Sequence, residues 1–332
     1  MRPSMGFRGK PLGRGVTQAI LSGQATTSSA GVRHPSFRSS SLPTAVPGEI
    51  PTAPTGRLLV VGSGKGGTGK SFLAANLAVQ WSLWGRRVVL VDADLGLANL
   101  HLLLGLQPET SLVNLLAPGK ARNGHHKNLL VEGPAGVRLL AGATGVQRLA
   151  HLNRGELRRF MQRLKVSLGN ADAVIIDLSS GISPSTLHFL EAAQEVIVVS
   201  NPDPSALLDA YAVIKVLHSA GHDGDIHLIM NRGRDALIRQ NAARRLLGTV
   251  DRFLQHPVNL LGDIPEDEAA GEALRRRRPL QLSRPDAAAA VAIREVALRL
   301  NRGGERRATD TATSFFSRSA DLLAPRRRTR PS

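Results

Sequence analysis

Short apolar runs that alternate with helix-length segments constrain the fold of this chain more than any other feature. Segments with a helical period of 3.6 residues separate most of these runs. Fully apolar strands that alternate with helices are typical of a parallel sheet covered on both faces. We therefore predict an α/β fold with a single doubly wound, mainly parallel sheet of about seven or eight strands, in one domain over residues 57–301. The predicted strands are Leu58–Val61, Val88–Val91, Val137–Leu140, Ala173–Ile176, Val196–Val199, Ile226–Met230 and Val258–Leu261, and the clearest helices are Ser71–Trp84, Glu156–Leu168, Pro204–Ala220, Ala236–Leu247 and Asp286–Leu300.

The two terminal segments differ in composition from this domain. Residues 1–56 are rich in Ser, Thr, Gly, Pro and Arg and hold a single acidic residue, Glu49, so we predict a disordered extension, with a transit peptide as the alternative. Residues 302–332 are also basic and are predicted to form a flexible tail. The tails carry more than half of the formal net charge of +17, so the body is only mildly basic. A dedicated nucleic-acid-binding domain would instead concentrate basic residues on one face.

The cysteine and histidine content excludes several classes of site. The chain has no cysteine, which excludes disulfide scaffolds, thiolate metal sites, iron–sulfur carriers and cysteine nucleophiles, and is consistent with a reducing cytoplasm. The ten histidines are scattered, and the adjacent pair His125 and His126 lacks two further spaced ligands, so no metal site built on histidine is predicted. No apolar run approaches the length of about 18 residues that a transmembrane helix requires.

A glycine-rich loop joins the first predicted strand to the first predicted helix. Gly64, four further residues, Gly69, Lys70 and Ser71 match the P-loop pattern in the strand–loop–helix context that it requires. Glycines allow successive backbone N–H groups to converge on a phosphate, and the helix N-terminus adds partial positive charge. We predict that Lys70 meets the β- and γ-phosphates of a nucleotide and that the Ser71 hydroxyl ligates Mg²⁺.

Two other features of the loop need an interpretation. Gly62, Gly64 and Gly67 also spell the dinucleotide fingerprint GxGxxG, but that pattern alone is weak, whereas the complete P-loop is specific. Lys65 is a second lysine that an ordinary P-loop does not need. It either adds positive charge at its own phosphate site or reaches a nucleotide bound by a second subunit.

The loop and the two strand ends that follow resemble a known family. Residues 65–71, Lys-Gly-Gly-Thr-Gly-Lys-Ser, resemble the deviant P-loop of the MinD/ParA ATPases, whose early lysine is their signature. Residues 91–99 resemble the first switch of the MinD branch, and residues 176–184 resemble the second switch. Residues 131–137, 191–196 and 209–215 are most similar to the flagellar branch, whose members are called FlhG, FleN or YlxH. The resemblance covers roughly residues 57–300.

This resemblance implies an ATPase that binds ATP and Mg²⁺ and forms a face-to-face homodimer on ATP. Lys65 would then reach across the interface. Asp177 would hold Mg²⁺, Asp92 would support the metal shell, and Asp94 would position or activate the attacking water. The implied nucleotide-binding residues are Gly64, Lys65, Gly66, Gly67, Thr68, Gly69, Lys70 and Ser71 in the loop, Gly181 in the second switch, Asn231 and Arg232 at the adenine, and Pro265 and Glu266 beside the base.

Two departures from the family pattern bear on function. The second switch carries Ser179-Ser180 where the family usually has alanine before the glycine, and the added hydroxyls can change switch mobility and the hydrolysis rate. Many flagellar members carry Asp-Gln-Ala near the N-terminus, an element that acts on a partner GTPase, and here only residues 17–19, Thr-Gln-Ala, resemble it.

The C-terminal tail contains one short amphipathic segment, residues 314–323. Its apolar residues fall on one helical face, and a basic run, Arg326–Arg328, follows. The segment resembles the interfacial helices by which MinD and its flagellar relative contact anionic membranes reversibly. We expect a cytoplasmic protein associated peripherally with the inner face of the membrane; the alternatives are a helix packed on the body and a disordered segment. The residues of the predicted face are Phe315, Phe316, Ser319, Leu322 and Leu323.

Taken together, these features predict an ATP-dependent dimerising switch that regulates flagellar number or placement. Its partners would be a second copy of itself, a flagellar GTPase or transcription regulator, and the membrane. The alternatives are a ParA-like DNA segregation ATPase, a MinD-like division-site regulator, and a nucleotide-binding scaffold that does not hydrolyse ATP. The basic run Arg275–Arg278 is either a solvated helix end or a contact for a nucleic-acid backbone.

Overall fold

An eight-stranded sheet forms the centre of the protein. The computed structural model describes residues 14–22, 56–94, 98–116, 129–142, 152–304 and 311–324. The strand order is β3-β4-β2-β5-β1-β6-β7-β8, and all neighbours are parallel except β3 and β4. The predicted fold class is therefore confirmed. The strands are β1 (Arg57–Gly62), β2 (Val88–Ala93), β3 (Leu130–Glu132), β4 (Arg138–Leu140), β5 (Ala173–Leu178), β6 (Glu195–Ser200), β7 (Asp225–Asn231) and β8 (Val258–Ile264).

Helices cover both faces of this sheet and divide the core into two layers. On one face, α2 (Lys70–Leu83), α8 (Glu268–Arg275), α9 (Leu280–Ser283) and α10 (Ala288–Gly304) pack around Leu77 and Ile293. On the other, α4 (Arg154–Leu168), α5 (Pro184–Ala192), α6 (Pro204–Ser219) and α7 (Ala236–Leu254) pack around Phe189 and Leu246. A short helix, α3 (Leu100–Leu103), follows β2. The four central strands β2, β5, β1 and β6 are buried along their whole length, which explains why all of their residues are apolar except a few near the strand ends.

Local sequence signals set several helix starts. Asn153 caps α4 and receives the Gly155 and Glu156 amides on its side chain, while the Glu156 carboxylate accepts the Asn153 amide. Ser183 caps α5 ahead of Pro184, and Asp235 caps α7. The helices therefore begin where the sequence places a capping side chain, close to the ends of the strands.

One segment of the predicted disordered extension is helical. Residues Arg14–Ser22 form α1, which packs against α6 and α7. Val16 and Ile20 are four residues apart, so they share one helical face, and both are buried in the core of that side. The other residues of the segment 1–56, apart from Gly56, lie outside the described residues.

The C-terminal helix is α11 (Thr311–Leu322), and its position differs from the membrane-facing one that the sequence predicted. Phe315 and Ser319 are buried against the body, as is Leu323 just after the helix, while Leu322 remains partly exposed. The Phe315 ring stacks on Phe189 of α5, with ring centroids 6.1 Å apart. The alternative, a helix packed on the body, is the arrangement observed.

Polar contacts also hold α11 in this position. The Gln194 amide donates to Ser314 Oγ at 2.7 Å, and His188 Nε2 lies 2.9 Å from Ser319 Oγ. Arg318 forms an ion pair of 2.5 Å with Asp223. Within the described ranges, no helix combines the length and apolar character needed to cross a membrane.

Candidate functional site

The glycine-rich loop lies at the carboxyl edge of the sheet between β1 and α2. Gly67 and Gly69 have φ angles of +78° and +89°, a region in which a side chain is strained, and Gly69 caps α2. A Cβ atom on Gly69 would lie 2.2 Å from Asn231 Nδ2. The backbone here must therefore be glycine both for its conformation and for the close approach of the Asn231 side chain.

Gly64 and Lys65 bring the start of the loop against α6. A Cβ atom on Gly64 would lie 2.3 Å from the backbone oxygen of Asp209, so only glycine permits this contact. Lys65 Nζ donates to Ser205 Oγ at 2.8 Å, in the first turn of α6. The Nζ of Lys70 instead lies 3.7 Å from Asp94 Oδ2, with both side chains largely buried. The two lysines of the loop therefore contact different parts of the protein.

Two buried carboxylates lie side by side next to the loop. Asp92 and Asp177 are paired residues at the ends of β2 and β5, and both are completely shielded from solvent. The Leu100 amide donates to the Asp92 carboxylate at 3.0 Å and the Asp94 amide at 3.3 Å, but burial still raises the Asp92 pKa to about 6.

The Asp177 carboxyl is the more perturbed of the two. Burial raises its pKa to about 7, and the negative charges of Asp92 and Asp94 add to that rise, while Lys70 and the Ser71 hydroxyl oppose it. Neither Asp177 oxygen has a hydrogen-bond partner of standard geometry among the described residues. A buried carboxylate without such a partner needs a ligand or a proton to offset the cost of its burial.

These residues fit a magnesium ion. Mg²⁺ prefers oxygen ligands, and it is usually held by one or two carboxylates together with substrate phosphates and water. Asp177 supplies a buried carboxylate, and Ser71 supplies a hydroxyl at the start of α2, beside the loop. Asp92 lies next to Asp177 but already accepts backbone amides, which suits a supporting role.

The second switch follows β5 and contacts the loop directly. The Gly181 amide donates to the Ser63 carbonyl at 2.8 Å, and Gly181 has a φ angle of +89°. The Ser180 hydroxyl lies 3.7 Å from where a Cβ on Gly66 would stand. Of the two serines that depart from the family pattern, Ser180 therefore lies beside the phosphate loop. Residues 95–97 of the first switch lie outside the described residues.

The four predicted base-contacting residues lie together on the other side of the loop. Asn231 Nδ2 donates to the Thr68 carbonyl at 2.6 Å, and the Arg232 guanidinium donates to the Gly67 carbonyl at 3.2 Å. The Arg232 amide bonds the Ile264 carbonyl at 2.9 Å, which joins this turn to the segment carrying Pro265 and Glu266. The structure therefore places Asn231 and Arg232 against the phosphate loop, and it places Pro265 and Glu266 next to the turn that carries them.

The sequence did not indicate several residues that support this arrangement. Ser205 holds Lys65, and its only sequence signal is its place just after Asp-Pro at the start of a predicted helix. Arg239 is buried on α7, pairs with Asp263 at 2.6 Å, and donates to the Gly233 carbonyl at 2.6 Å. This arginine fixes the turn that carries the base-contacting residues, and nothing in its sequence context marks it.

Comparison with known families agrees with this geometry. A sequence profile of the ParA family, described as NUBPL iron-transfer P-loop NTPase, matches residues 55–301. The chain belongs to the ParA/MinD family of P-loop ATPases. The iron transfer named in that description does not carry over, because this ATPase has no cysteine to bind an iron–sulfur cluster.

Three relatives show which members of the ParA/MinD family this chain resembles. The antiactivator FleN of Pseudomonas aeruginosa is 34% identical over 245 residues, which cover 74% of this chain and 86% of FleN. The flagellum site-determining protein YlxH of Helicobacter pylori is 35% identical over 176 residues, 53% of this chain and 58% of YlxH. The septum site-determining protein MinD of Pyrococcus horikoshii, solved with Mg-ADP, superposes with a TM-score of 0.60 at 30% identity, covering 74% of this chain and 95% of that one.

Proposed function

We propose that this ParA/MinD ATPase is an ATP-dependent dimerising switch that regulates flagellar number or placement. The observation that carries the proposal is the similarity to FleN, which extends over most of both chains. A division-site role is the second candidate, because the fold also superposes on MinD over nearly the whole of that protein.

The site residues divide into phosphate, metal and water functions. In this proposal the loop amides and Lys70 hold the phosphates of ATP, and Asn231, Arg232, Pro265 and Glu266 contact the base. Ser71 and Asp177 hold Mg²⁺, and Asp92 supports that shell; when bound, the ion neutralises charge that develops on the phosphates. Asp94 orients the attacking water, and its 3.7 Å approach to Lys70 keeps the carboxylate next to the phosphate site.

Lys65 provides the link between ATP and dimerisation. Its ammonium is bonded to Ser205, at an exposed position on the rim of the loop. The lysine can exchange this single neutral partner for the phosphates of a nucleotide on a second subunit, since charge-assisted bonds to phosphate are stronger than a bond to a hydroxyl. Dimerisation then depends on ATP because the phosphates supply the partner charge.

Membrane attachment is the third part of the proposal. The apolar face of α11 packs on α5 in the structure, so the helix must leave the body before it can insert at an anionic surface. The helix is short, so one copy binds weakly, while the two copies of a dimer bind together much more strongly through effective concentration. We expect the protein to associate peripherally with the inner face of the cell membrane in its ATP state.

Two features of the surface point to two different classes of partner. Residues 17–19 lie on α1, and we propose that a flagellar GTPase or transcription regulator meets this helix although it lacks the aspartate of the family's GTPase-contacting element. The arginine run after α8 is exposed, so contact with a nucleic acid is the rival. A ParA-like role predicts DNA binding in the ATP state that weakens steeply with salt, because contacts to phosphates release counterions.

The test is to delete the gene in its native host, count flagella and measure septum position, and complement with the wild-type gene or with Lys65→Ala. A flagellar regulator gives an altered number or placement of flagella that only the wild-type gene restores. Misplaced septa with normal flagella would favour the division-site role. Loss of chromosome or plasmid copies with both structures normal would favour DNA segregation.

A further inference from the structure

Two histidines far apart in sequence meet at the edge of the sheet opposite the nucleotide. His218 lies in the last turn of α6, and His256 follows α7, two residues after that helix ends. Both positions lie in connections that lead into the amino ends of strands β7 and β8, whereas the phosphate loop follows the carboxyl end of β1. The two imidazoles are therefore separate from the ATP site.

The distance between these rings fits a long hydrogen bond and also fits a shared metal ion. Their Nδ1 atoms are 3.5 Å apart, which is longer than the usual N–H hydrogen bond of roughly 2.7–3.2 Å. Two imidazole nitrogens that bind one tetrahedral ion at about 2.0–2.1 Å are themselves about 3.4 Å apart, and their ring centroids are about 5.3 Å apart. The centroids of His218 and His256 are 5.5 Å apart, with the rings inclined at 79°. Rotation of the rings would let one ion bridge both Nδ1 atoms in place of this hydrogen bond.

The local backbone and charges also favour a cation here. Gln255 adopts a left-handed conformation with φ of +50°, which ends α7 and turns the chain so that His256 reaches the end of α6. Both helices therefore place their C-terminal ends, which carry partial negative charge, close to the pair.

We propose that His218 and His256 bind one divalent transition-metal ion, of the borderline class that imidazole prefers, such as Zn²⁺. No group of three potential ligands among His, Cys, Asp and Glu converges in the part of the chain that the structure describes, so water completes the coordination. The proposed site therefore has two histidine ligands, and we call this pair the histidine clip. Its other coordination positions are open to water.

The histidine clip joins the ends of α6 and α7, the two helices against which α1 packs. Because α1 packs on both α6 and α7, an ion that ties their ends together stabilises the surface on which α1 rests. The ion binds to the folded protein independently of nucleotide, because neither histidine touches the phosphate loop or its carboxylates. This inference stands apart from the proposed flagellar role and does not depend on it.

The experiment is a Zn²⁺ titration of the untagged full-length protein by isothermal calorimetry, without nucleotide and again with Mg·ATP. The test variant is His218→Ala/His256→Ala. The matched control is His125→Ala/His126→Ala, which removes the same number of imidazoles from the adjacent pair in the sequence. Thermal unfolding of each protein with and without Zn²⁺ gives a second readout.

We expect one Zn²⁺ site in the wild type and in the control, with an affinity that falls on the order of 10²-fold in the test variant, since two joined ligands bind far better than one. Zn²⁺ should raise the unfolding temperature of the wild type and the control but not of the test variant. Equal affinity in the wild type and the test variant would overturn the proposal, as would loss of the site in the control. A wild type that binds no Zn²⁺ at millimolar concentration would also overturn it.

Discussion

Replacing Phe189 with alanine tests whether α11 is held on the body mainly by its apolar packing contacts. Phe189 lies on α5, is buried, and stacks on Phe315 of α11. The substitution leaves every residue of α11 unchanged, so the helix keeps its full capacity to bind a membrane. It removes the ring against which Phe315 packs. The variant therefore weakens the docking of α11 on the body without changing the residues of α11 that would insert into a membrane.

The expected magnitude follows from the burial of the two rings. Truncating a buried Phe to Ala costs about 3–5 kcal/mol of stability in a core. The share that falls on docking is about 1.5–3 kcal/mol, which is the value of burying one large apolar side chain. At about 1.4 kcal/mol for each tenfold change in an equilibrium constant, the undocked state should rise roughly tenfold to hundredfold.

Amide hydrogen exchange and vesicle co-sedimentation measure this change. In Phe189→Ala, the amides of residues 311–322 should exchange roughly tenfold to hundredfold faster, while those of β5 keep most of their protection. Binding to anionic vesicles should increase by a similar factor. The matched variant Leu322→Ala, on the exposed side of α11 where 40% of the side chain is accessible, should leave exchange unchanged and weaken vesicle binding.

The reasoning fails if Phe189→Ala leaves the exchange of α11 at the wild-type rate. It also fails if α11 opens as calculated but vesicle binding does not increase, since docking would then not be what restrains the helix from the membrane. Denaturant unfolding of both variants separates local opening from a general loss of stability.

Three further predictions concern the nucleotide site. Lys65→Ala should keep ATP binding but lose the proposed ATP-dependent dimer in gel filtration, because we propose that Lys65 acts on the partner's nucleotide. Asp94→Ala should lower the hydrolysis rate by roughly 10²–10⁴ while the ATP-bound dimer persists, because the loop, Lys70 and Mg²⁺ still hold the phosphates. The stability of the nucleotide-free protein should fall as pH rises from about 4 to about 7, because the folded protein keeps the Asp177 proton that the unfolded chain releases over this range. Asp177→Asn should flatten that dependence in urea unfolding measured across the same range.

Each of these has an outcome that contradicts it. Normal dimerisation of Lys65→Ala with ATP would remove the trans role of that lysine. Wild-type hydrolysis by Asp94→Ala, or a monomer despite bound ATP, would show that this carboxylate does not position the water. An unchanged pH profile in Asp177→Asn would mean that another group holds the proton.

The sequence predicted the sheet and the phosphate loop well because both depend on local rules. Buried strands must be apolar along their length, so Val88–Val91 and Ala173–Ile176 are visible as strands without any tertiary information. The loop needs glycines and Lys70 at a fixed spacing. In the structure these residues form the turn that leads into α2. The regular alternation of strand and helix then places Asp92 and Asp177 at one edge, since parallel strands share the direction of their ends.

The tertiary structure decided the features that depend on contacts between distant segments. An amphipathic helix has the same pattern whether its apolar face meets a membrane or a protein surface, so only packing against Phe189 shows where the face of α11 lies. The sequence placed α1 in a disordered extension, because two apolar residues such as Val16 and Ile20 become significant only when α6 and α7 offer a surface for them. The meeting of His218 and His256 depends likewise on the ends of two helices brought side by side. Local periodicity fixes the elements of this protein, whereas the faces that they bury and the side chains that they bring together are set by packing across the fold.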